Sequence, residues 1–384
     1  MKNIYLLGAT GSIGSQSIEI IDSHPDEFKL VAISGYSNLK ELQAIASSHD
    51  LQLIAVKDEA DALIMQKLYP NVKVVFGESG LVELARLNPQ DKTGVLINAL
   101  VGMVGLRPTV EAIKCGRDIL LANKETLVVG GHLIKDLLIE HPVKLYPLDS
   151  EHNAIWQIMN KEDKRKIKQI IITASGGPFR DIDKDAMKGV TLADALNHPN
   201  WSMGKKITID SATMMNKGFE IIEAAYLFDV DIDKITAVIH RESIIHSLVE
   251  YEDNSMIAQL ANHDMRLPIS YAMFYPERRK NMTEPLSLSS IKALTFMDID
   301  KEKYPLLPLA INCYKEGGSK RTALNAANEA AVKLFLEGKI AFTDIETIVI
   351  ETVNKHQVIA DPSLEEIYEI DREIKESIFS KYVL

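Results

Sequence analysis

The stretch Gly8-Ala9-Thr10-Gly11-Ser12-Ile13-Gly14 constrains the fold of this chain more than any other. It follows a short apolar run, residues 3–7, that reads as a buried strand, and it leads into a helical pattern to about residue 22. Strand, glycine turn and helix, in that order, open a dinucleotide-binding unit. The glycines permit a tight turn and close backbone approach. The helix then offers free N–H groups and the positive end of its dipole to a pyrophosphate. The rhythm that follows agrees. Residues 30–33, 51–56, 72–76, 95–99 and 118–121 read as strands, with helical patterns near 39–48, 59–68, 79–87 and 105–115. Such alternation implies a parallel sheet wrapped by helices, with ligands gathered at the carboxyl ends of the strands.

Three of those strand ends carry chemistry. The second strand runs into Ser34-Gly35-Tyr36-Ser37-Asn38. A site that prefers NAD places an acidic residue here for the ribose 2′-hydroxyl. None is present and Lys40 follows, so a 2′-phosphate, and hence NADPH, is favoured. Asn123-Lys124-Glu125 follows the apolar residues 119–122. The run Leu145-Tyr146-Pro147-Leu148-Asp149-Ser150-Glu151 ends in two carboxylates two positions apart. In extended backbone, residues i and i+2 point to one side, so Asp149 and Glu151 are expected to aim at one point. Clustered carboxylates without Cys or His at ligand spacing suit Mg²⁺ or Mn²⁺. The alternative is an Asx turn capping a helix that begins near residue 153.

Size and composition set the frame. A chain of 384 residues implies two or three domains, and 46% hydrophobic with 25% charged residues supports sizeable cores. A net charge of −11 disfavours nonspecific nucleic-acid binding and is compatible with a local basic pocket. Cys115 and Cys313 lie far apart in apolar surroundings, which implies no disulfide framework or thiolate metal site and fits a reducing cytoplasm. The first apolar run is too short for a signal peptide, and no segment approaches 18 apolar residues, so no membrane span is expected.

The second half changes character. After a helix near 153–161, an apolar strand at 169–173 ends in Ala174-Ser175-Gly176-Gly177-Pro178-Phe179. A hydroxyl followed by paired glycines suits an N–H nest for an anion. Residues 176–206 lack periodicity apart from a short helix near 191–197, and a connection that long suits a lid. It contains His198-Pro199-Asn200-Trp201-Ser202-Met203-Gly204, with His198 placed to bond a substrate oxygen and Trp201 to cover an apolar face. A helix is expected from about 211 to 228. On it Asn216 and Lys217 share a face with Glu220. Ser211, Asn216 and Lys217 suit a phosphate, and Glu220 is a candidate third carboxylate; the competing reading is an exposed Lys–Glu pair. Residues 235–240, 244–251 and 255–260 read as an antiparallel sheet whose edges need cover, which makes a homodimer interface plausible. Residues 265–275 read as a short helix. His240, Arg241, Glu242 and His246 read as strand-face and turn residues rather than a metal cluster. A linker at 276–303 precedes amphipathic helices at 306–316, 321–337, 343–355 and 363–379, a helical region with a supporting role.

Taken together and in order, residues 8–14, 120–125 (LLANKE), 148–153 (LDSEHN), 175–179 (SGGPF), 198–204 (HPNWSMG) and 210–220 (DSATMMNKGFE) closely resemble the 1-deoxy-D-xylulose 5-phosphate reductoisomerase family. The likeness spans essentially the whole chain. With it, the expected architecture is α/β: a Rossmann-like NADPH-binding domain at 1–149, a central α+β catalytic and dimerisation domain at 150–275 with a lid at about 176–206, the linker, and a helical domain at 304–384. The resemblance implies that Thr10, Gly11, Ser12 and Ile13 contact NADPH with Asn123, Glu125 and Gly204, alongside Gly35, Tyr36, Ser37 and Asn38. It implies that Asp149, Glu151 and Glu220 hold Mg²⁺ or Mn²⁺, with Co²⁺ a further option. Ser175, Ser211, Asn216, Lys217 and His198 would grip the substrate phosphate and chain. Lys124 and Ser150 would orient its hydroxyls, and Trp201 would belong to the lid. Lys124, Asp149, Glu151 and Glu220 form the implied catalytic set. One departure stands out: the family commonly shows Gly-Lys/Arg-Asn after the second strand, and Gly35-Tyr36-Ser37-Asn38 lacks the basic residue. The implied reaction rearranges a keto-sugar phosphate and reduces the aldehyde formed, in a cytoplasmic homodimer with no nucleic-acid or membrane partner. Two other readings compete with it. A semialdehyde dehydrogenase needs a nucleophilic Cys in a polar pocket, and a nucleotide-sensing module needs no converging carboxylates.

Overall fold

The computed structural model describes residues 1–91, 93–160, 162–201, 203–280 and 282–382. Lys161, Ser202 and Asn281, at the expected helix end, in the lid and in the linker, lie outside the described residues. The chain groups into two units. One comprises Met1–Thr126, His132–Asn153 and Asp264–Thr283; the other comprises Leu127–Gly131, Ala154–His263 and Glu284–Leu384. No helix among the described residues is long and apolar enough to cross a membrane.

The first unit holds a seven-stranded sheet. Its strands are β1 (Lys2–Leu7), β2 (Phe28–Ser34), β3 (Leu53–Val56), β4 (Lys73–Phe76), β5 (Gly94–Asn98), β6 (Asp118–Leu121) and β7 (Leu145–Pro147). All pair in parallel, in the order β4-β3-β2-β1-β5-β6-β7. The inner strands are buried along nearly their whole length, which is why they appear in sequence as unbroken apolar runs. Helices Ser12–Ser23, Leu39–Ser48, Glu59–Leu68, Gly77–Arg86 and Leu106–Lys114 connect them. Two of these starts are capped by side chains: Asn38 accepts from the Glu41 amide and Asp58 from the Asp61 amide.

The strand order reverses between β1 and β5, which makes that point the natural crevice of the sheet. The glycine turn sits there. Gly8 has φ +84°, and a Cβ on it would lie 2.6 Å from the Ala99 carbonyl oxygen. A Cβ on Gly14 would lie 2.1 Å from the Gly8 carbonyl oxygen. Both positions therefore exclude any side chain. Helix Arg266–Phe274 also belongs to this unit, with Phe274 edge-on to Phe28 at 4.9 Å and the Met273 carbonyl accepting from Lys2 Nζ at 2.8 Å.

The second unit corrects three local expectations. The sheet of β8 (Ile167–Ala174), β9 (Ile235–Ile239), β10 (Ile245–Tyr251), β11 (Met256–Leu260) and β12 (Met297–Asp298) is mixed, not antiparallel. Its order is β11-β10-β8-β9-β12, and β8 pairs with β9 in parallel. The long helical connection between them supplies the crossover that a parallel pair needs. Strand periodicity reports pleat and burial but carries no direction. Next, the helix expected from about residue 211 is two helices, Lys205–Ala212 and Met215–Phe228. Met214 breaks them with left-handed backbone, φ 60° and ψ 10°, a conformation costing a non-glycine residue roughly 1–2 kcal/mol. No glycine or proline stands at the break to announce it. Finally, the expected linker contributes β12, which pairs with β9. Beyond it, helices Leu306–Glu316, Lys320–Leu336, Phe342–Lys355 and Leu364–Tyr382 follow the apolar periodicity closely. Lys320–Leu336 is their buried centre, its alanines lying against neighbours on several sides.

Candidate active site

The carboxylate stretch is not extended. A helix, Ser150–Met159, begins directly after Asp149 and places Glu151 in its first turn. The extended premise therefore fails, yet the two carboxylates still converge, their oxygens within 4.8 Å of one another. The Asx turn replaces it: Asp149 Oδ1 accepts from the Glu151 amide at 3.1 Å. Lys124, at the start of helix Lys124–Glu140, forms an ion pair with Asp149. His152 Nδ1 lies 3.0 Å from the same Asp149 Oδ1, while Lys124 meets Oδ2. Asp149 is buried, and burial alone would raise its carboxyl; Lys124 and His152 reverse this and hold it well below the usual carboxylate range. The Ser150 hydroxyl donates to Glu151 at 2.6 Å. His152 lay inside a quoted motif without a role; its signal was its spacing, three residues after Asp149.

At the same strand ends, Asn123 caps helix Lys124–Glu140. Its amide donates to the carbonyls of Leu100 and Gly102 and to Glu125, and its oxygen accepts from the Thr126 amide. Gly11 is the N-cap of helix Ser12–Ser23, so Ser12 and Ile13 form its open first turn, with Thr10 just before it. Thr10 also touches the turn after β2, since a Cβ on Gly35 would meet its methyl at 3.2 Å. In that turn Tyr36 has a buried hydroxyl with no hydrogen-bond partner, and burial pushes the phenol up to about 12. Ser37 and Lys40 are exposed, whereas Asn38 is committed to its cap.

In the second unit, Ser175 follows β8 and its Oγ lies 2.9 Å from His198 Nε2. His198 Nδ1 accepts from the amides of Asn200 at 3.2 Å and Trp201 at 3.0 Å. A ring nitrogen that accepts twice carries no proton, so the imidazole is neutral and donates to Ser175 through Nε2–H. Burial, with Arg180 nearby, depresses His198 to about 4. Ser175 Oγ also accepts from the Gly177 amide at 3.3 Å, which leaves the hydroxyl proton to be donated elsewhere. Gly177, with φ +67°, packs on the Ser211 carbonyl, which a Cβ would approach to 2.7 Å. Gly177 thus lets the turn after Ser175 pack directly on the backbone at Ser211.

On helix Met215–Phe228, the face expected from spacing is present but buried rather than solvated. Lys217 ion-pairs with Glu220 and donates to the Thr173 carbonyl at 2.6 Å. Asn216 donates to Glu220 at 2.5 Å. Glu220 is 1% exposed. Asp149 and Glu151 each offer one carboxylate oxygen, and these lie within 4.8 Å of one another; Glu220 is a third, buried carboxylate on its own helix. Metal–oxygen bonds of about 2.0–2.6 Å place two ligands of one hard cation no more than roughly 5 Å apart, so the Asp149–Glu151 pair fits such an ion.

Described residues of the long connection after β8 are held by side-chain contacts. Trp201 stands edge-on to His263 at 5.3 Å, and the Asn200 amide donates to the Arg241 carbonyl and to Ser243 Oγ, each at 2.7 Å. Asn200 and His263 were not anticipated, and only tertiary packing reveals them. Gly204 caps helix Lys205–Ala212 with open space around it. His240 is buried beside Glu242 and accepts two backbone amides of the next strand entry, a structural use.

Comparison with known proteins agrees along the chain. Residues 4–131 match the family described as 1-deoxy-D-xylulose 5-phosphate reductoisomerase, residues 145–228 its C-terminal domain, and residues 260–377 the DXP reductoisomerase C-terminal domain. The chain is 50% identical over 375 residues to the 1-deoxy-D-xylulose 5-phosphate reductoisomerase of Macrococcus caseolyticus, covering 98% of each. It is 49% identical over 372 residues to that of Bacillus cereus, covering 97% of each. Among solved structures it is similar to a DOX-P reductoisomerase in complex with NADPH, fosmidomycin and magnesium, with TM-score 0.93, 38% identity, and coverage of 100% of this chain and 98% of that one. It is also similar to the Zymomonas mobilis enzyme in complex with NADPH, with TM-score 0.91, 37% identity, and coverage of 100% and 99%.

Proposed function

We propose that this chain, which belongs to the 1-deoxy-D-xylulose 5-phosphate reductoisomerase family, performs its family's reaction around Asp149, Glu151 and Glu220. It is an NADP-dependent oxidoreductase. With NADPH and a divalent metal it converts 1-deoxy-D-xylulose 5-phosphate to 2-C-methyl-D-erythritol 4-phosphate, a step toward isoprenoid precursors. The observation that carries the site reading is the Asp149–Glu151 pair, whose oxygens lie within 4.8 Å of one another beside the Lys124 that keeps Asp149 ionised, an all-oxygen donor pair suited to magnesium or manganese. Bound there, the ion supplies Lewis acidity toward the sugar's keto and hydroxyl oxygens. NADPH supplies the hydride.

The chain's own residues do the rest. Lys124 keeps Asp149 ionised and thus able to hold a cation. Ser150 orients Glu151, which is the candidate for moving the substrate hydroxyl proton during rearrangement. The Ser175 hydroxyl, fixed by His198, donates to a phosphate oxygen, and Ser211, Asn216 and Lys217 complete that grip, Lys217 as the point charge. Trp201 and its segment shield the aldehyde from water. Thr10, Gly11, Ser12 and Ile13 receive the pyrophosphate at the helix start. Gly8 and Gly14 keep that turn tight, since a side chain at either would strike backbone. Ser37, Asn38 and Lys40 face the ribose 2′-phosphate with Gly35 and Tyr36, while Asn123, Glu125 and Gly204 shape the remaining cofactor contacts. In this reading residues 1–149 bind the nucleotide, 150–275 carry catalysis and the lid, and 276–384 link and support.

A homodimer is part of the reading. Met256, Ile257 and Leu260 stand exposed on β11, a sheet edge, where a second copy would cover both the apolar side chains and the unpaired strand. A reducing cytoplasm suits two free thiols. The semialdehyde dehydrogenase alternative fares poorly, since burial pushes the Cys313 thiol up to about 12, far from a nucleophile's range. The test is NADPH oxidation with 1-deoxy-D-xylulose 5-phosphate, with and without EDTA. Turnover should stop with EDTA and return with Mg²⁺ or Mn²⁺. Turnover indifferent to chelation would refute the metal site.

A further inference from the structure

The segment that follows Ser175 turns around a lysine far along the chain. Lys303 Nζ donates to the carbonyls of Phe179 at 2.8 Å, Arg180 at 3.2 Å and Ile182 at 2.6 Å. An ammonium has three N–H donors, and here each has a backbone acceptor within one short stretch. Three carbonyls aimed at one point would repel one another without a cation between them, as the carbonyls at a helix C-terminus do. The lysine is itself held in place, because Asp300 Oδ1 accepts from the amides of Glu302 at 2.9 Å and Lys303 at 3.1 Å.

Other contacts tie down the same stretch. Arg180 Nη1 donates to the Ser175 carbonyl at 2.6 Å. The Phe179 ring packs edge-on against Phe342 at 4.9 Å. Lys184 Nζ donates to the Glu302 carbonyl at 2.7 Å. The backbone from Ser175 to Lys184 is therefore fixed at close intervals, and Lys303 supplies three of the bonds.

We infer that Lys303 is a positioning residue for the substrate's phosphate: its ammonium fixes the 179–182 carbonyls, and so the glycine turn and the Ser175 hydroxyl. It touches neither substrate nor cofactor in this scheme. The inference rests on the reading of Ser175 as a phosphate-gripping residue.

The experiment compares Lys303→Met, Lys303→Gln and Lys303→Arg with Ser175→Ala and the unsubstituted enzyme. Lys303→Met should raise the KM for 1-deoxy-D-xylulose 5-phosphate by about 10-fold, equivalent to about 1.4 kcal/mol of binding. Competitive inhibition by inorganic phosphate should weaken by a similar factor. The KM for NADPH and kcat should stay within about 2-fold, since only a uniform binding contribution is removed. Hydrogen exchange of the 176–182 amides should accelerate. Lys303→Arg should restore the parent KM to within about 2- to 3-fold, because its fork still reaches several carbonyls. Lys303→Gln, which keeps an amide donor, should lie between, and it carries the test if the methionine variant does not fold. An unchanged KM and phosphate inhibition in Lys303→Met or Lys303→Gln, with Ser175→Ala impaired, would overturn the inference alone. Unimpaired Ser175→Ala would instead overturn the reading beneath it.

Discussion

Replacing Glu220 by glutamine separates the charge of this residue from its shape. Its carboxylate is 1% exposed and pairs with Lys217, which is itself buried. The amide keeps the volume and can still meet Asn216, but it leaves the Lys217 ammonium buried without its anion. Removing one partner of a buried ion pair costs about 3–5 kcal/mol, so the midpoint of thermal unfolding should fall markedly in the absence of metal. The second effect is on the cation. Loss of groups that merely brace metal ligands costs 10–100-fold in affinity, so loss of a ligand carboxylate should cost at least about 100-fold, or about 2.8 kcal/mol. The double variant Lys217→Met/Glu220→Gln distinguishes the two. Removing both charges should recover most of the lost stability and none of the metal affinity. Free Mn²⁺, followed by electron paramagnetic resonance during titration, measures the affinity, and NADPH fluorescence checks that cofactor binding persists. Glu220→Gln binding Mn²⁺ as tightly as the parent, with full turnover, would refute the assignment of Glu220 as a ligand.

Further outcomes follow from the same geometry. Gly14→Ala should abolish NADPH binding and lower thermal stability, because its methyl meets backbone at 2.1 Å; Gly11→Ala, whose nearest neighbour is 3.4 Å away, should bind NADPH within a few-fold of the parent. Equilibrium NADPH titration of both variants checks the contrast. His198, depressed to about 4 by burial, should stay neutral through the pH range of assay. The sign is that of a group whose proton is bound more weakly in the folded state. Its stabilising effect is complete above the ordinary histidine range and is lost as pH falls through about 4. Nitrogen chemical shifts of that ring across pH 3–8 report it, and titration near the ordinary value would contradict the hydrogen-bond pattern. Ile257→Lys on β11 should shift the enzyme from dimer to monomer in sedimentation, and an unchanged mass would place the dimer contact elsewhere.

The first unit was legible in sequence because its signals are local. Buried parallel strands are apolar throughout, helix caps sit beside what they cap, and Gly8 and Gly14 mark backbone contacts that no other residue tolerates. The proposed functional side chains were picked out by joint motif order rather than by any motif's own physics. Taken alone, the Asp149–Glu151 spacing led to an extended geometry that the helix starting at Ser150 replaces, and the Lys217–Glu220 pair was as compatible with a solvated surface as with its actual burial. Strand direction and the contacts of Asn200, His263 and Lys303 arise between residues tens to more than a hundred positions apart. Periodicity and propensity describe a residue's relation to its neighbours in the chain. Which carbonyls a lysine caps, and whether a carboxylate is dry, depend on what the folded backbone brings alongside, and tertiary packing alone decides that.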